Sequence, residues 1–446
     1  MIVPCFQAHT VVPRFVRMLR RGTLGKLLVL PLVLATATCG GPDDGVTLQS
    51  DVPREHVAVV DAAGVPDVVA ATTELGAELL AGAPPRQNAV ISPASLTVVL
   101  SMLAEGARGA TAAELDGALG ASGEVRTAAV NALLTELSQH EGEPSVASDD
   151  KLPHRPVLHL ASRVVVDDGM DVQDAYLDRL AAGYGAGVAS ADLSGASGKA
   201  ALDAWVAHHS GGLIEHSGIE PDESLRLVLQ NSVLLAAAWT APFDPQLTST
   251  DPFTTGSGAR VGVPTMHRTG EVAYTADGPW QAVRLPYVDG FALDVVLPSK
   301  GRSPASLTGD EWAALGAALR TGETATDVVL ALPSVHLTSA VDLADGLRDA
   351  GVRAVWSPAT ADLRGIAETD DGAPLYLGVV GQQVTLSIDE AGTVAAATTE
   401  AGMMSGAMLE PARPVEMTVD RPFAVRIVHV PTELPVFMAV VNDPRG

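Results

Sequence analysis

The chain has 446 residues, 47% hydrophobic and 18% charged, which is enough apolar material for a large buried core. Its 53 acidic against 28 basic residues give a formal charge of −25, and no basic patch is rich enough to neutralise a run of phosphates, so nucleic acid is not expected as a partner. Two cysteines, Cys5 and Cys39, offer no disulfide framework, so stability must come from core packing and kinetic barriers.

In chain order, Arg14, Arg17, Arg20, Arg21 and Lys26 precede an apolar run, Leu27 to Leu34, that is too short to span a bilayer. A small-residue exit follows, Ala35-Thr36-Ala37-Thr38-Cys39, and the whole reads as an export signal over residues 1–38. Met18 is an alternative start, because Met18-Leu19-Arg20-Arg21 opens a tidier signal. The segment resembles a bacterial lipoprotein signal, although Thr36 stands where that motif prefers Leu and Thr38 where Gly or Ala is usual. That resemblance implies lipidation of Cys39 and anchoring at the outer face of the cell membrane through a polar tether, residues 39–57. Plain secretion with Cys39 incidental is the alternative. Removing the signal takes five basic and no acidic residues, leaving 23 basic against 53 acidic, a formal −30.

Residues 58–446 show no composition break and read as one domain. Helical spacing is clear over Val68 to Ala81 and over Ser95 to Ala107 after Ser92-Pro93. Thr111 to Glu114 fits a capping box leading into Leu115 to Leu119. His159 to Val166 reads as a strand, Val172 to Tyr184 and Lys199 to His209 as helices. Leu225 to Leu235 is nearly continuous in apolar residues, as a strand buried on both faces should be. Alternation through Val283, Leu285 and Tyr287, then Phe291, Leu293, Val295 and Leu297, predicts a hairpin turning at Asp289-Gly290. Asp342 to Ala350 reads as a helix, and Val415 to Val419, Phe423 to Val430 and Val436 to Val441 as strands. Helices early and antiparallel strands late predict an α+β fold with at least two sheets.

Conventional catalysis has little support. Ser197 and Ser405 lie near glycines, but neither completes G-x-S-x-G, and Gly198-Lys199 lacks the upstream glycine of a phosphate loop. His208, His209 and His216 bracket a Gly-Gly turn with no carboxylate or Cys at ligand spacing, and no second His follows His140-Glu141, so no metal or other cofactor is expected.

One stretch stands apart. After the alternating strand Val384 to Ile388, the chain reads Asp389-Glu390-Ala391-Gly392-Thr393-Val394-Ala395-Ala396-Ala397-Thr398-Thr399 and continues to Met403-Met404-Ser405-Gly406-Ala407-Met408-Leu409. A turn does not require such a run; small, β-compatible residues suit a chain that must enter a crowded sheet.

Several motifs in sequence order carry a resemblance to the serpins, the serine protease inhibitor family. They are Asn88 to Ser95 with Pro93, Gly106 to Thr111, Asn231 to Trp239 with Pro242-Phe243, Leu332-Pro333, Ala361 to Ile366, Leu375 to Leu377, Asp420 to Phe423 and Pro435 to Ala439. The resemblance implies an α+β serpin fold: helices packed around a large central mixed sheet, with additional sheets and an exposed reactive loop at about residues 390–414. It further implies a suicide-substrate inhibitor that forms a covalent complex with a serine protease and acts as a monomer, not an enzyme. Glu390, Gly392, Thr393, Ala395, Ala396, Ala397, Thr398 and Thr399 would form the loop's hinge. Asn88, Ser92, Pro93, Ser95, Asn231, Trp239 and Gln382 would line the region where the sheet opens. Gln382 stands where the family usually has a histidine; it can donate and accept but cannot titrate. Counting from Gly392 places the scissile bond at Gly406-Ala407, with Met404-Ser405 and Met408-Leu409 also open; all three suit elastase-, chymotrypsin- or subtilisin-like proteases. A non-inhibitory member acting as a surface binding or chaperone-like protein is the alternative.

Overall fold

The Leu227–Ala238 strand, buried along all but its last residue, is the spine of a seven-stranded sheet. The computed structural model describes residues 46–148, 151–320, 325–369, 372–393 and 414–446, all within one compact unit, Pro42–Gly446. Across the sheet run Val46–Leu48, Val188–Ala191, Val157–Asp167, Leu227–Ala238, Gly392–Thr393, Val379–Ile388 and Val335–Asp342. The Leu227–Ala238 and Val379–Ile388 strands pair in parallel from Val228 opposite Val379 to Val233 opposite Val384. They then part, and Gly392–Thr393 lies between them, antiparallel to both.

A nine-stranded sheet forms the other half of the molecule. It contains the predicted hairpin, Trp280–Pro286 with Phe291–Pro298, reversed through Asp289 (φ 54°) and Gly290 (φ 92°). Pro286 pairs with Ala292 and Tyr287 N donates to Phe291 O at 2.9 Å, so the loop is 288–290, and the positive φ of Asp289 and Gly290 is a conformation that Asp tolerates and Gly adopts freely. The three C-terminal strands also join this sheet, as Val415–Thr418, Phe423–His429 and Leu434–Val441.

The Pro93–Gly106 helix is buried at every residue and packs against both sheets. Its polar residues are satisfied inside, Ser95 by Asn231 and Glu105 by Arg126, so the whole helix can be buried. Among the described residues there are eight α-helices, and none is long and apolar enough to cross a membrane.

Three local readings change. The Gly109–Leu119 helix begins two residues before Thr111, so Thr111 and Glu114 do not form a capping box. Both face tertiary partners instead: Thr111 Oγ1 accepts from Asp362 N at 3.0 Å, and Glu114 Oε2 accepts from Arg353 N and Ala354 N at 2.7 and 2.6 Å. Asp171–Val172 pairs with Ala367–Glu368, which delays the next helix to Asp174–Tyr184. Asp342 closes a strand, and its carboxylate accepts from Ala344 N at 3.0 Å to start a short helix, Ala344–Asp349.

The nine-stranded sheet is pinned by a buried charge cluster. Asp294, 1% exposed, faces Arg284 on one neighbouring strand and Arg426 on the other. Its Oδ1 accepts from Arg284 Nε at 2.6 Å and its Oδ2 from Arg426 Nη2 at 2.7 Å. Burial works to lower the Arg284 pKa, but the bonds to Asp294 and Glu433 outweigh it and hold the guanidinium above its ordinary value. Truncating Asp294 would leave two buried guanidinium groups without their shared partner. Asp294→Ala should cost about 3–5 kcal/mol, read as a lower urea midpoint at unchanged slope.

Candidate functional site

Chain reversal after the Val379–Ile388 strand is local chemistry. Asp389 Oδ1 accepts from Ala391 N at 2.9 Å and from Gly392 N at 3.0 Å, while Asp389 N donates to Gly392 O at 3.0 Å. An aspartate bonding its own following backbone is a turn former. The turn delivers Gly392 opposite Ala238 and Thr393 opposite both Ala237 and Ile388. Only glycine fits at 392: a Cβ there would lie 2.1 Å from Ala237 O and 2.9 Å from Ala238 Cα.

Aromatic residues wall the seat. Trp239 stacks on Tyr287 with ring centroids 4.1 Å apart and planes 11° from parallel. The Tyr287 hydroxyl hydrogen-bonds the hydroxyl of Thr393, which is 1% exposed. Trp239 Nε1 donates to Asp389 O at 2.8 Å and its backbone N to Ala391 O at 3.0 Å. Phe243 N donates to Glu390 O at 2.9 Å, and Thr248 Oγ1 to Glu390 Oε1 at 2.6 Å. Five bonds from the 239–248 segment and Tyr287 therefore hold residues 389–393.

Burial raises the Asp389 carboxyl above its ordinary 3.8; Glu390 adds to the rise, and the two backbone donors only partly offset it. A hinge released into water would titrate normally, so the seated turn binds its proton more tightly. The penalty on seating is absent below 3.8 and sets in as pH rises through the raised value.

Further along the seam, Gln382 and Asn231 face each other in register, both fully buried. Gln382 clamps the Ser92 backbone from both ends of its amide: Oε1 accepts from Ser92 N at 2.8 Å and Nε2 donates to Ser92 O at 2.9 Å. Gln382 Nε2 also donates to Asn231 Oδ1 at 2.9 Å, and Ser95 Oγ donates to the same oxygen at 2.8 Å. Ser92 Oγ is used differently, accepting from Ser95 N at 3.3 Å as the cap of the helix that Pro93 opens.

Asn88 does not join this group. Its side chain accepts from Asn442 N and Asp443 N at 2.7 and 2.9 Å and donates to Asp443 O at 2.7 Å, tying the end of the chain to the nine-stranded sheet. The structure adds Tyr287, Phe243 and Thr248 to the seat; Tyr287 carries only an alternating-strand signal in the sequence.

Beside the satisfied bonds lie unsatisfied ones. On the core-facing side, Asn231 Nδ2 and Ser162 Oγ are buried with no hydrogen-bond partner among the described residues. On the opposite side the same holds for Ser232 Oγ, both amide atoms of Gln383, and Thr385 Oγ1. Ser232 and Gln383 are register partners across the seam. Each such buried group costs about 1–3 kcal/mol.

Cys39 and the export signal lie outside the described residues. So do hinge residues Ala395, Ala396, Ala397, Thr398 and Thr399 and the scissile-bond candidates Met404, Ser405, Gly406, Ala407, Met408 and Leu409.

A family model described as Serpin (serine protease inhibitor) matches residues 70–444. The chain is similar to Iripin-8 of Ixodes ricinus, 30% identical over 384 residues, covering 83% of this chain and 92% of that protein. It is also similar to a probable serpin E3 of Danio rerio, 27% identical over 384 residues, 80% of this chain and 87% of the other. Among solved structures, the thermophilic serpin tengpin in its native state superposes with a TM-score of 0.75 at 21% identity, covering 90% of this chain and 99% of tengpin.

The Gly392 contacts yield a direct expectation. Gly392→Val should unseat the turn, and the Trp239 and Phe243 amides, which donate to Ala391 O and Glu390 O, should exchange hydrogen at least roughly tenfold faster. Unchanged protection of the 239–243 peptide by exchange mass spectrometry would show that the seat does not depend on close approach at 392.

Proposed function

This chain belongs to the serpin family, and from that premise we propose that it inhibits a serine protease as a suicide substrate. The observation that carries the reading is the hinge start, Gly392–Thr393, seated between the two central strands where they part. Continuing that antiparallel ladder by one residue at a time assigns each hinge position its neighbours. Ala395 would meet Leu235 and Leu386, Ala397 would meet Val233 and Val384, and Thr399 would meet Asn231 and Gln382, all on the core-facing side. Val394, Ala396 and Thr398 would take the other side, with Thr398 between Ser232 and Gln383.

Two features of the sequence suit this path. The core-facing positions are all small, as a strand entering a packed sheet must be. The two threonines that close the run bring hydroxyls to the level of Asn231 Nδ2, Ser162, Ser232 and Gln383, whose buried polar atoms have no partner among the described residues. Insertion would therefore form hydrogen bonds that the shut sheet leaves unmade, and the shut sheet is a kinetic trap. In the proposed cycle a protease attacks the loop and becomes an acyl-enzyme. Insertion then carries it away before water completes hydrolysis.

The bonds Gly406-Ala407, Met404-Ser405 and Met408-Leu409 present small or apolar residues, so the proposed target is an elastase-, chymotrypsin- or subtilisin-like protease. The proposed setting is extracellular, with the chain anchored through lipidated Cys39 or secreted. The mass of the N-terminal peptide of the exported protein distinguishes the two.

Mixing the protein with subtilisin and with pancreatic elastase and running denaturing gels tests the mechanism. A covalent complex stable to denaturant is expected from at least one of them. Thr393→Arg should convert inhibitor into substrate, because the 393 site is closed and a buried unpaired charge costs several kcal/mol. Loop cleavage by the wild type without any complex would instead favour a non-inhibitory binding or chaperone-like role.

A further inference from the structure

A second site lies in a groove at the far end of the nine-stranded sheet, built by four separate stretches of chain. These are the turn after the Val65–Ala81 helix, the 254–258 turn, the 300–305 loop, and residues 420–422 with the C-terminal strand. The cavity has a volume of about 590 Å³, within the range of small-molecule sites. Leu80 and Val440, each 3% exposed, lie at its base, and Pro84, Pro304 and Pro422 stiffen its walls.

Its charge is opposite to that of the protein. Arg86, Lys300, Arg302 and Arg421 line the groove against one acid, Asp420, although the chain carries a formal −25. Arg421 neutralises Asp420 directly at 2.7 Å and spends its remaining donors on Pro298 O. Arg302 lies over the Trp280 ring at 4.5 Å and reaches Glu311 at 3.2 Å. Arg86 and Lys300 make no ion pair with any acidic group among the described residues.

The backbone holds Arg86 in place by an unusual choice of residue. Gln87 N bonds Pro84 O, and Arg86 occupies the third position of this turn with φ 69°. Glycine is the unstrained residue there. Backbone outliers of this kind cluster at functional positions, ligand clamps among them. The turn cannot relax, because Asn442 Nδ2 donates to Gln87 O at 2.5 Å and Asn88 bonds residues 442 and 443. Asn88, remote from the opening seam, thus has a definite place as an anchor of this wall.

We propose that this groove binds a small amphipathic anion, its carboxylate or sulfonate held by Arg86 and Lys300 and its apolar body lying on Leu80 and Val440. On a chain of formal charge −25, a lining with four basic residues and one acid favours an anion. The site is separate from the hinge seat, so its test does not depend on protease inhibition.

The probes are decanoate by calorimetry and 1-anilinonaphthalene-8-sulfonate by fluorescence, with decanol as the uncharged control, all on the full chain. One decanoate per chain is expected, with affinity in roughly the micromolar range and weakening as salt rises. Arg86→Glu with Lys300→Glu should weaken both anions by roughly tenfold or more without lowering the melting temperature. Ala83→Trp, which fills the groove without altering its charge, should do the same. No saturable binding, equal binding of decanol, or unchanged anion affinity in both variants would overturn the proposal.

Discussion

The whole arrangement depends on six register pairs between the Leu227–Ala238 and Val379–Ile388 strands, from Val228–Val379 to Val233–Val384. Both strands are buried on both faces, so every polar group along this seam must find its partner inside the protein. The seam does so only in part. Gln382 and Ser95 make four good side-chain bonds across it, to Ser92 N, Ser92 O and, twice, Asn231 Oδ1. Beside them, Asn231 Nδ2, Ser232 Oγ and both amide atoms of Gln383 are buried without a partner among the described residues. The seam also has apolar content: Leu229, Val233, Val380 and Val384 belong to one buried cluster with the apolar residues of the Pro93–Gly106 helix.

Electrostatics at the seam are arranged so that its middle does not respond to pH. Gln382 is neutral at every pH, and its amide already bonds Ser92 and Asn231. The titrating group sits instead at the mouth, where burial lifts the Asp389 carboxyl. Proton binding thus bears on the entry of the hinge start, and the interior hydrogen bonds are indifferent to it.

How much of this could be read from the sequence follows from how local each cause is. The Leu225–Leu235 run, the Asp289-Gly290 turn and Gly392 were readable because each leaves a local mark, in unbroken apolar content, a turn dipeptide or a glycine, even though the crowding that requires Gly392 comes from distant Ala237 and Ala238. The Gly123–Leu137 helix was not, because its inward face carries Arg126 and Asn131, which break the apolar period. They are buried because distant groups receive them: Glu105 takes Arg126 Nη2 at 2.8 Å, and Asn131 bonds Val57 N and Gly183 O at 2.8 and 2.7 Å. Asn88 and the Thr111–Glu114 pair were misplaced for the same reason, since both answer to partners hundreds of residues away. The seat itself was half legible. Thr393 and Trp239 stand out in the sequence, but Tyr287 and Phe243 are recruited only by the fold.

Two sheets with opposite temperaments follow from two ways of treating buried polarity. In the nine-stranded sheet Asp294 is saturated by Arg284 and Arg426, and Arg284 extends the network to Glu433, so any displacement of those strands strands a charge. In the seven-stranded sheet the buried polar groups along the seam itself, Asn231, Ser232, Gln382 and Gln383, are neutral, and the buried charge, Arg163, lies one strand away and bonds Gln230 within the Leu227–Ala238 strand. The Pro93–Gly106 helix touches both sheets. One sheet cannot yield without breaking an ion network, whereas the seam of the other is held by a short backbone ladder, neutral side-chain bonds and apolar packing. The described residues include no cysteine, so both sheets rest on non-covalent contacts alone.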